Sequence, residues 1–457
     1  MGQRPRIEPR GAGLWHVIVV SVVALMMRIP IWLSEAHVTF DEGVFLASMD
    51  LASAGLTQYR DFFASQGPLF LPVLQLAEVI SFGDPRGARS VMVASGMAIA
   101  VASYFIFTKV TDRGRAYALS LVVAASGSTL FAAGPVQSEG PALALSLCAL
   151  AVTLHRSDPR GALIAGALIG ASVAMKSLHS IPIVLVIVLV LVWSRRFLDV
   201  AYTGLSALAI SLGTAFVYGA ERVWDQYVLF HLAKDNSVDL IENTRAMLGI
   251  LVQNDLPTMV GLAATVGFAA VASRVERTPR LDLPPLFGLV WLALTLIVLV
   301  GFTRIDSGFA RVLAYLIPPA ATVIATYLKI PLRVMLVVAV FALPAQLAFV
   351  DIARHHTAEE RAFVERLAQI EPDRYVVTDD PGLAWAARRL SHPRTVDPSF
   401  ARFNTGYLTV DDVEEAMMDQ RSCVYLAVSE RFEHAGVIPS TLYEASDSEG
   451  LYVRPGC

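Results

Sequence analysis

Long apolar stretches recur along the chain and predict membrane-spanning helices. A helix needs roughly 20 mainly apolar residues to cross a bilayer, with about 17–25 usual. The stretches that meet or nearly meet this length are 14–33, 89–109, 116–133, 139–154, 160–175, 181–193, 199–219, 257–273, 284–302, 312–328 and 332–350. The pattern therefore predicts a polytopic α-helical membrane protein with about eleven transmembrane helices.

A further apolar stretch, residues 67–82, decides the orientation of the helices that follow it. If it lies along the outer surface, the N-terminus and alternate short connections face the cytoplasm. Those connections are rich in basic residues, as cytoplasmic loops are, whereas the opposite short loops 134–138 and 175–180 hold only Lys176. The basic residues are Lys109, Arg113, Arg115, Arg156, Arg160, Arg195, Arg196, Arg274, Arg277, Arg280, Lys329 and Arg333. We therefore predict that 67–82 is a juxtamembrane helix outside the membrane, and that the amphipathic stretch 44–54 is a surface helix.

The composition becomes polar after residue 354. Counting the predicted spans from a cytoplasmic N-terminus places this part outside the membrane as well. Thr357 and Glu360 have the spacing of a capping box, residues 374–378 and 423–428 look like strands, and 411–420 looks like a helix. We predict a small extracytoplasmic α/β domain over 355–457, attached to a transmembrane domain over 1–354.

Overall composition agrees with a membrane protein. The chain has 457 residues, of which 55% are hydrophobic and 17% charged, whereas soluble domains are about 45–50% apolar and 25% charged. The net charge of -4 offers no basic surface for nucleic acid. Cys148, Cys423 and Cys457 match no metal-ligand spacing. Arginines precede the first apolar stretch as in a signal peptide, but its length favours an uncleaved helix.

Unusual polar residues gather in the predicted outer loops. Asp41 and Glu42 are adjacent just beyond the first apolar stretch. Adjacent carboxylates at a membrane surface are costly, because desolvation and a like-charged neighbour both disfavour ionisation. Ionisable groups at such depth are functional candidates. The rest of this first loop and the other outer loops add acids, bases and amides, among them His37, Tyr59, Arg60, Arg89, Gln137, Glu139, Lys176, His179, His231, Lys234, Arg304 and Arg311.

These residues suit transfer of a group that arrives already activated. Nucleotide sugars and ATP are not ordinarily available outside the membrane, and the chain has no phosphate-binding glycine motif. A sugar on a polyprenyl phosphate fits, because its leaving group is a stable anion that arginine and lysine can stabilise. The acceptor hydroxyl needs a general base, for which Asp41 is the candidate.

The first outer loop resembles that of GT-C glycosyltransferases. Phe40-Asp41-Glu42-Gly43, Tyr59-Arg60-Asp61-Phe62-Phe63 and Gly67-Pro68-Leu69 look like enzymes of the protein O-mannosyltransferase and lipid A aminoarabinose transferase type. The likeness continues at Gln137-Ser138-Glu139-Gly140-Pro141, with Glu where relatives often have Asp, and at Lys176. The resemblance implies a polyprenyl-phosphate sugar donor, inversion at the anomeric carbon, and a catalytic Asp at Asp41.

We therefore predict a membrane glycosyltransferase of the plasma membrane that acts on an acceptor hydroxyl of a glycan, lipid or protein. Asp41, Glu42 and Glu139 are the predicted catalytic residues. Arg60, Lys176, Arg89, Arg304 and Arg311 are predicted to bind the donor phosphate, and Tyr59, Gln137 and His179 the substrate. No cofactor is expected.

Other interpretations of these residues remain open. Asp41 could instead cap a helix. Glu42 could lie in the first turn of that helix, where the helix dipole favours an acid. Arg28, inside the first span, is expected to snorkel. A divalent metal on His37, Asp41, Glu42 and Glu139 has no diagnostic spacing. The alternative function is a transporter of lipid-linked sugars, which would instead place charges at the midplane of its spans.

Overall fold

The computed structural model describes residues 11–82, 84, 86–234, 239–272, 286–303, 307–327, 331–349, 354–446 and 450–457. Its architecture is mostly helical with one small sheet, as the apolar pattern predicts. The helices of the N-terminal three quarters are α1 Gly11–Met26, α2 Ile29–Trp32, α3 Phe40–Ser53, α4 Phe70–Ile80, α5 Gly87–Phe107, α6 Arg113–Ala125, α7 Gly127–Ala132, α8 Glu139–His155, α9 Pro159–Val173, α10 Ile181–Trp193, α11 Phe197–Tyr218, α12 Ala220–Val223, α13 Phe230–Ala233, α14 Leu240–Ala272, α15 Phe287–Phe302, α16 Ile317–Tyr327 and α17 Leu332–Phe349.

Each predicted apolar stretch coincides with helix, but four differ in extent. The first is broken between α1 and α2, and the third between α6 and α7, where Ser126 is extended. The stretch 257–273 is only the end of α14, which begins at Leu240 and continues through Pro257. The stretch 312–328 begins within a 3₁₀ segment, Ser307–Tyr315, that precedes α16. Among the described residues, α5 and α11 are long and apolar enough to cross a bilayer, and eight shorter apolar helices have 10–17 residues.

Apolar side chains cover the outside of α11. Leu205, Phe216 and Val217 are 66%, 70% and 77% exposed. A contiguous apolar surface of this kind would promote association in water and is what hydrocarbon contact requires.

Arg28 does not snorkel, contrary to the expectation from its position in the sequence. It is fully buried, and its guanidinium donates to the carbonyl oxygens of Ala24, Ala133 and Thr129 at 2.9, 2.9 and 3.1 Å. The Ala24 carbonyl lies in the last turn of α1 and the Ala133 carbonyl beyond the end of α7, where helical partners run out. Gly96 provides the space that the Arg28 side chain occupies, since a Cβ at residue 96 would overlap that side chain. Arg28 therefore closes a gap in backbone hydrogen bonding between helices.

The C-terminal region forms an α/β unit around a five-stranded sheet. The sheet has the order β2-β1-β3-β5-β4, in which β2 Leu390–Ser391, β1 Tyr375–Thr378 and β3 Ser422–Leu426 are parallel and β5 Leu451–Val453 and β4 Glu444–Ala445 are antiparallel. Its helices are α18 Ala358–Leu367, α19 Pro381–Ala386, α20 Phe400–Thr405, α21 Val410–Met418 and α22 Arg431–His434. The division of the chain at residue 354 stays a prediction.

Several local predictions for this region are confirmed. Thr357 and Glu360 form the capping box that begins α18. Strands and a helix lie where the pattern placed them, within two residues at each end. Cys423 and Cys457 are joined by a disulfide, which the cysteine spacing alone did not reveal.

This α/β unit packs directly on α3, which is therefore not a surface helix as predicted. Val44, Leu46 and Met49 of α3 share one apolar cluster with Tyr375 and Trp385 of the C-terminal region. The closest approach is between two glycines, because a Cβ on Gly43 would lie 2.8 Å from the Cα of Gly382. His37 Nε2 is 3.3 Å from Asp380 Oδ1 beside this contact.

We predict that Gly382→Val loosens the α/β unit from α3. A Cβ at residue 382 would overlap the buried His37 ring, and overpacking a close interface costs about 1–3 kcal/mol. Limited proteolysis of the purified protein should release a C-terminal fragment faster than in the wild type. Gly204→Ala is the control, since a Cβ there meets nothing within 4 Å; equal cleavage of the wild type and both variants would contradict the prediction.

Candidate active site

The N-terminus of α3 places Asp41 at the edge of a polar cluster. Thr39, not Asp41, is the N-cap, because its hydroxyl accepts from the amide of Glu42 at 3.2 Å. Asp41 is the second helical residue, and its side chain is 35% exposed. The capping alternative for Asp41 is therefore wrong, and its carboxylate remains accessible to a substrate.

Three predicted residues from separate segments converge with Asp41. Arg311 lies just before α16. Its Nη2 atom is 2.5 Å from Asp41 Oδ2, and its Nε is 3.2 Å from Glu139 Oε1. Lys176, after α9, has its Nζ 3.5 Å from the same Glu139 oxygen. One guanidinium thus bridges two carboxylates, and one carboxylate is shared by two cations. We call this set, Asp41, Glu139, Lys176 and Arg311, the ion bridge.

The loop before α4 holds Lys176 in place. Gly67 N donates to Met175 O at 3.2 Å and Leu69 N to Ala174 O at 3.0 Å. Only glycine fits at position 67, because a Cβ would overlap the carbonyl of Ala174. These hydrogen bonds join the loop before α4 to the segment after α9. Gln66 Oε1 can therefore accept a hydrogen bond from Lys176 Nζ at 3.1 Å.

Tyr59, predicted to bind substrate, is instead buried beneath this loop. Its hydroxyl donates to the carbonyl of Gln66, and its backbone is left-handed, with φ of 65°. Its ring packs with Tyr227 and Val223. We interpret Tyr59 as a residue that positions Gln66, and through Gln66 the amine of Lys176.

Gln137 and His179 also lie within the walls around the ion bridge. Gln137 Nε2 donates to the capping hydroxyl of Thr39 at 3.1 Å. His179 Nε2 is 3.2 Å from Thr303 Oγ1, and its ring lies 5.5 Å from that of Tyr315. The Tyr315 hydroxyl in turn donates to the backbone carbonyl of Glu139 at 3.2 Å. Gln137 is therefore linked to the helix of Asp41 through Thr39, and His179 to Glu139 through Tyr315.

Glu42 and Arg89 form a separate structural pair, which corrects their predicted roles. Both are buried, and Arg89 Nε donates to Glu42 Oε1 at 2.8 Å. The Glu42 oxygens also accept from the amides of Val38 and Val136 at 2.6 and 3.1 Å. Arg89 also donates to the carbonyls of Ser34 and Ala36. With these groups engaged inside the protein, neither residue is placed to bind a substrate.

Arg60 does not join the ion bridge either. It is 55% exposed and pairs with its neighbour Asp61 through contacts of 3.0 and 2.8 Å. Arg304 lies outside the described residues. Of the five predicted phosphate ligands, the structure brings Lys176 and Arg311 together with Asp41.

Two residues without a predicted role also reach this region. Lys234 lies over the Phe230 ring at 4.4 Å. Burial and, next, the neighbouring Lys176 lower the pKa of Lys234 to about 8, while Asp397 and Asp41 act in the opposite direction. Asp397 comes from the C-terminal region and is 6% exposed; burial raises its pKa, and Asp41 contributes. Such pairings between distant segments leave no periodic signal in the sequence.

Arg431 connects the C-terminal region to the residue before Asp41. Its guanidinium lies 3.6 Å from the centre of the Phe40 ring, a cation–π contact. Burial lowers the pKa of Arg431, while Asp379, Asp380 and Asp41 act in the opposite direction. The C-terminal region therefore contributes charge to the surroundings of Asp41.

The residues considered for a metal are not grouped as one ligand set. His37 faces Asp380, Glu42 faces Arg89, and Asp41 and Glu139 share Arg311. No group of three or more His, Cys, Asp and Glu side chains that could hold a metal occurs among the described residues. The expectation that no metal is needed stays a prediction.

The fold and this arrangement can be compared with known proteins. ArnT from Cupriavidus metallidurans, bound to undecaprenyl phosphate, matches with a TM-score of 0.67 and 15% identity, over 98% of this chain and 98% of that chain. The oligosaccharyltransferase of Archaeoglobus fulgidus, in complex with Zn and sulfate, matches with a TM-score of 0.55 and 13% identity, over 91% and 68%. Archaeal AglB from the same organism, with an inhibitory peptide and a dolichol-phosphate, gives 0.50 and 13%, over 92% and 70%.

These similarities establish the fold. ArnT and AglB are both GT-C proteins, so the resemblance indicated by the first outer loop is confirmed at the level of fold. No protein-family model matches the chain, and no curated protein matches it by sequence.

We predict that Glu42→Gln destabilises the protein. The change leaves Arg89 as a buried charge without its counter-ion, and breaking such a pair costs about 3–5 kcal/mol. The thermal midpoint of the purified protein should fall by several degrees, whereas Asp41→Asn, at a partly exposed position, should melt close to the wild type. If the Glu42→Gln protein kept the wild-type thermal midpoint but had no activity, Glu42 would instead be a catalytic residue, as the sequence predicted.

Proposed function

We propose that this chain is a membrane glycosyltransferase that moves a sugar from a polyprenyl-phosphate donor to an acceptor hydroxyl at the extracytoplasmic face. The observation that carries the proposal is the ion bridge, in which a partly exposed carboxylate at Asp41 lies beside Arg311 and Lys176. ArnT, which has this fold, is bound to undecaprenyl phosphate in its solved structure. A base beside two cations is what this reaction requires.

The reaction can be written with Asp41 as the base. The acceptor oxygen attacks the anomeric carbon of the donor sugar while its proton passes to the Asp41 carboxylate. The bond between the anomeric carbon and the phosphate oxygen breaks, and the electron pair leaves with the polyprenyl phosphate. Attack opposite the leaving group inverts the configuration at the anomeric carbon.

Arg311 and Lys176 would hold the donor phosphate. Arginine binds phosphate oxygens through two parallel N–H groups, and lysine acts as a compact point charge. In the structure the cationic groups face carboxylates, so a phosphate can replace part of that pairing. Glu139 would keep both cations in place, which makes it a positioning residue. Lys234 would add a third positive charge.

The proposed orientation puts the N-terminus in the cytoplasm and the C-terminal α/β unit outside the plasma membrane. The Cys423–Cys457 disulfide supports this orientation, because disulfides persist in oxidising compartments and are rare in the cytosol. Polyprenyl-phosphate donors would then reach Asp41 from the outer leaflet, while the acceptor would approach from the aqueous side.

We predict that Asp41→Asn abolishes transfer. The amide cannot take the proton of the acceptor, and loss of a general base typically lowers the rate about 10²–10⁴-fold. The measurement is release of polyprenyl phosphate by the purified protein incubated with a panel of polyprenyl-phosphate sugars and acceptors.

The matched control is Asp373→Asn, the same change at an exposed position of the C-terminal region. It should behave as the wild type, and both variants should insert and purify normally. Transfer by Asp41→Asn at more than about a tenth of the wild-type rate would refute the assignment of the base.

We also predict that donor binding weakens as pH rises through about 8. Lys234 has a pKa of about 8, so it is positively charged below this pH and neutral above it, and the anionic phosphate then loses a partner. A hydrogen bond to a charged group contributes about 1.5–3 kcal/mol, roughly 10–100-fold in affinity. The measurement is the dissociation constant of undecaprenyl phosphate between pH 6.5 and 9.5, values chosen to bracket that pKa.

Two substitutions isolate the contribution of Lys234. Lys234→Gln should bind weakly with little change across this pH step, and Lys234→Arg should keep its affinity at high pH because arginine stays charged. The same pH profile in Lys234→Gln as in the wild type would assign the transition to another group.

A further inference from the structure

A cavity lies between the first outer loop and the C-terminal region, and no residue of the ion bridge lines it. Its volume is about 260 Å³. This is somewhat less than the roughly 300–1,000 Å³ of pockets for drug-sized ligands, and it suits one sugar ring. Its charged walls come from both sides of the interface and consist of Arg60, Asp61, Asp225, Arg394, Arg402 and Asp412.

The charges in this mixed-charge cavity balance. Three guanidiniums face three carboxylates, so the formal charge of the walls is zero. Arg60 pairs with Asp61, and Arg394 NH1 lies 3.2 Å from Asp412 Oδ1. A strongly anionic or cationic ligand would gain no net attraction there. An uncharged ligand whose groups both donate and accept hydrogen bonds can engage both signs of charge.

One wall of the cavity is aromatic. The Tyr407 ring lies 5.8 Å from that of Phe63 and 5.2 Å from that of Phe230. The Tyr407 hydroxyl donates to Asp225 Oδ1 at 2.9 Å. A ligand with a C–H face and a rim of hydroxyl groups matches such a wall, since the face can lie on the Tyr407 ring while the rim reaches the charges.

A buried donor in the wall lacks a partner. Arg402 is 5% exposed, and its NH1 and NH2 groups donate to the carbonyls of Asp397 and Tyr407, each at 2.8 Å. Its Nε has no hydrogen-bond partner among the residues that the structure describes. Leaving a buried donor unsatisfied costs about 1–3 kcal/mol. The two backbone carbonyls and the Phe63 ring beneath it hold the Arg402 guanidinium in place as part of the cavity wall.

Packing contacts connect the cavity to Lys234, the third cation of the proposed donor site. Arg402 lies over the Phe63 ring at 4.3 Å and holds the backbone of Asp397. The Phe63 ring lies 5.0 Å from the Phe230 ring, and Lys234 lies over the Phe230 ring at 4.4 Å. Three consecutive side-chain contacts therefore join the cavity wall to the proposed donor site.

We propose that the mixed-charge cavity is an acceptor subsite that binds one uncharged sugar unit of a glycan. The inference rests on the proposed function, and it names the class of acceptor: a neutral saccharide. Its occupant would contact both the first outer loop and the C-terminal region, so the subsite exists only when the two are docked.

The test is direct binding of saccharides to the full-length protein purified in detergent. The probes are neutral methyl hexosides and their disaccharides, observed by saturation-transfer-difference NMR, with an acidic sugar and a short peptide as competitors. The wild-type protein should give saturation-transfer signals for the neutral saccharides. Tyr407→Phe and Arg60→Gln should each weaken binding about tenfold. Both variants should fold normally, because the first keeps the aromatic ring and the second changes an exposed side chain.

Two further variants separate this inference from the proposed function. Asp41→Asn should bind the saccharides as the wild type does, even though it cannot catalyse transfer. Arg374→Gln, an arginine paired with Glu371 on the outside of the C-terminal region, should bind as the wild type. The inference is overturned if no neutral saccharide binds, if Tyr407→Phe and Arg60→Gln bind unchanged, or if only the acidic sugar or the peptide binds. Saccharide binding by a protein with no transfer activity would instead refute the proposed function.

Discussion

The contact on which the site depends is the shared guanidinium of Arg311. Asp41 and Glu139 are both acids at a water-poor boundary, and two carboxylates that share one site repel each other unless a cation lies between them. Arg311 meets this requirement by contacting both, and Lys176 adds a second positive charge at Glu139. Under the proposed function the same two cations would bind the donor phosphate, so the arrangement that stabilises the two acids would also form the donor site.

A second constraint is the docking of the C-terminal region on α3. The helix is amphipathic in sequence, yet Val44, Leu46 and Met49 are all buried, because the α/β unit covers what would otherwise be its outer face. The contact between Gly43 and Gly382 lets the two backbones approach without a side chain between them. This close approach brings Asp397 and Arg431 toward Asp41, so the C-terminal region belongs to the surroundings of the site.

Adjacent acids have different roles because they lie on a helix. Successive residues of an α-helix point about 100° apart, so Asp41 and Glu42 cannot face the same way. Asp41 turns to the cluster formed by Arg311, while Glu42 turns inward to Arg89. The buried pair fixes the start of α3 against the backbone of the segments around residues 34–38 and 136, and this holds Asp41 in position.

The sequence by itself determined the helices and the presence of reactive groups, because apolar length and periodicity are local properties of the chain. It also identified Asp41, Glu139, Lys176 and Arg311, since charged residues beside apolar stretches are conspicuous. Only the tertiary structure decided which of these meet. Glu42 and Arg89 became a buried pair, Tyr59 became a support, and Lys234 and Asp397 joined the site, because such pairings depend on distances between segments far apart in the chain.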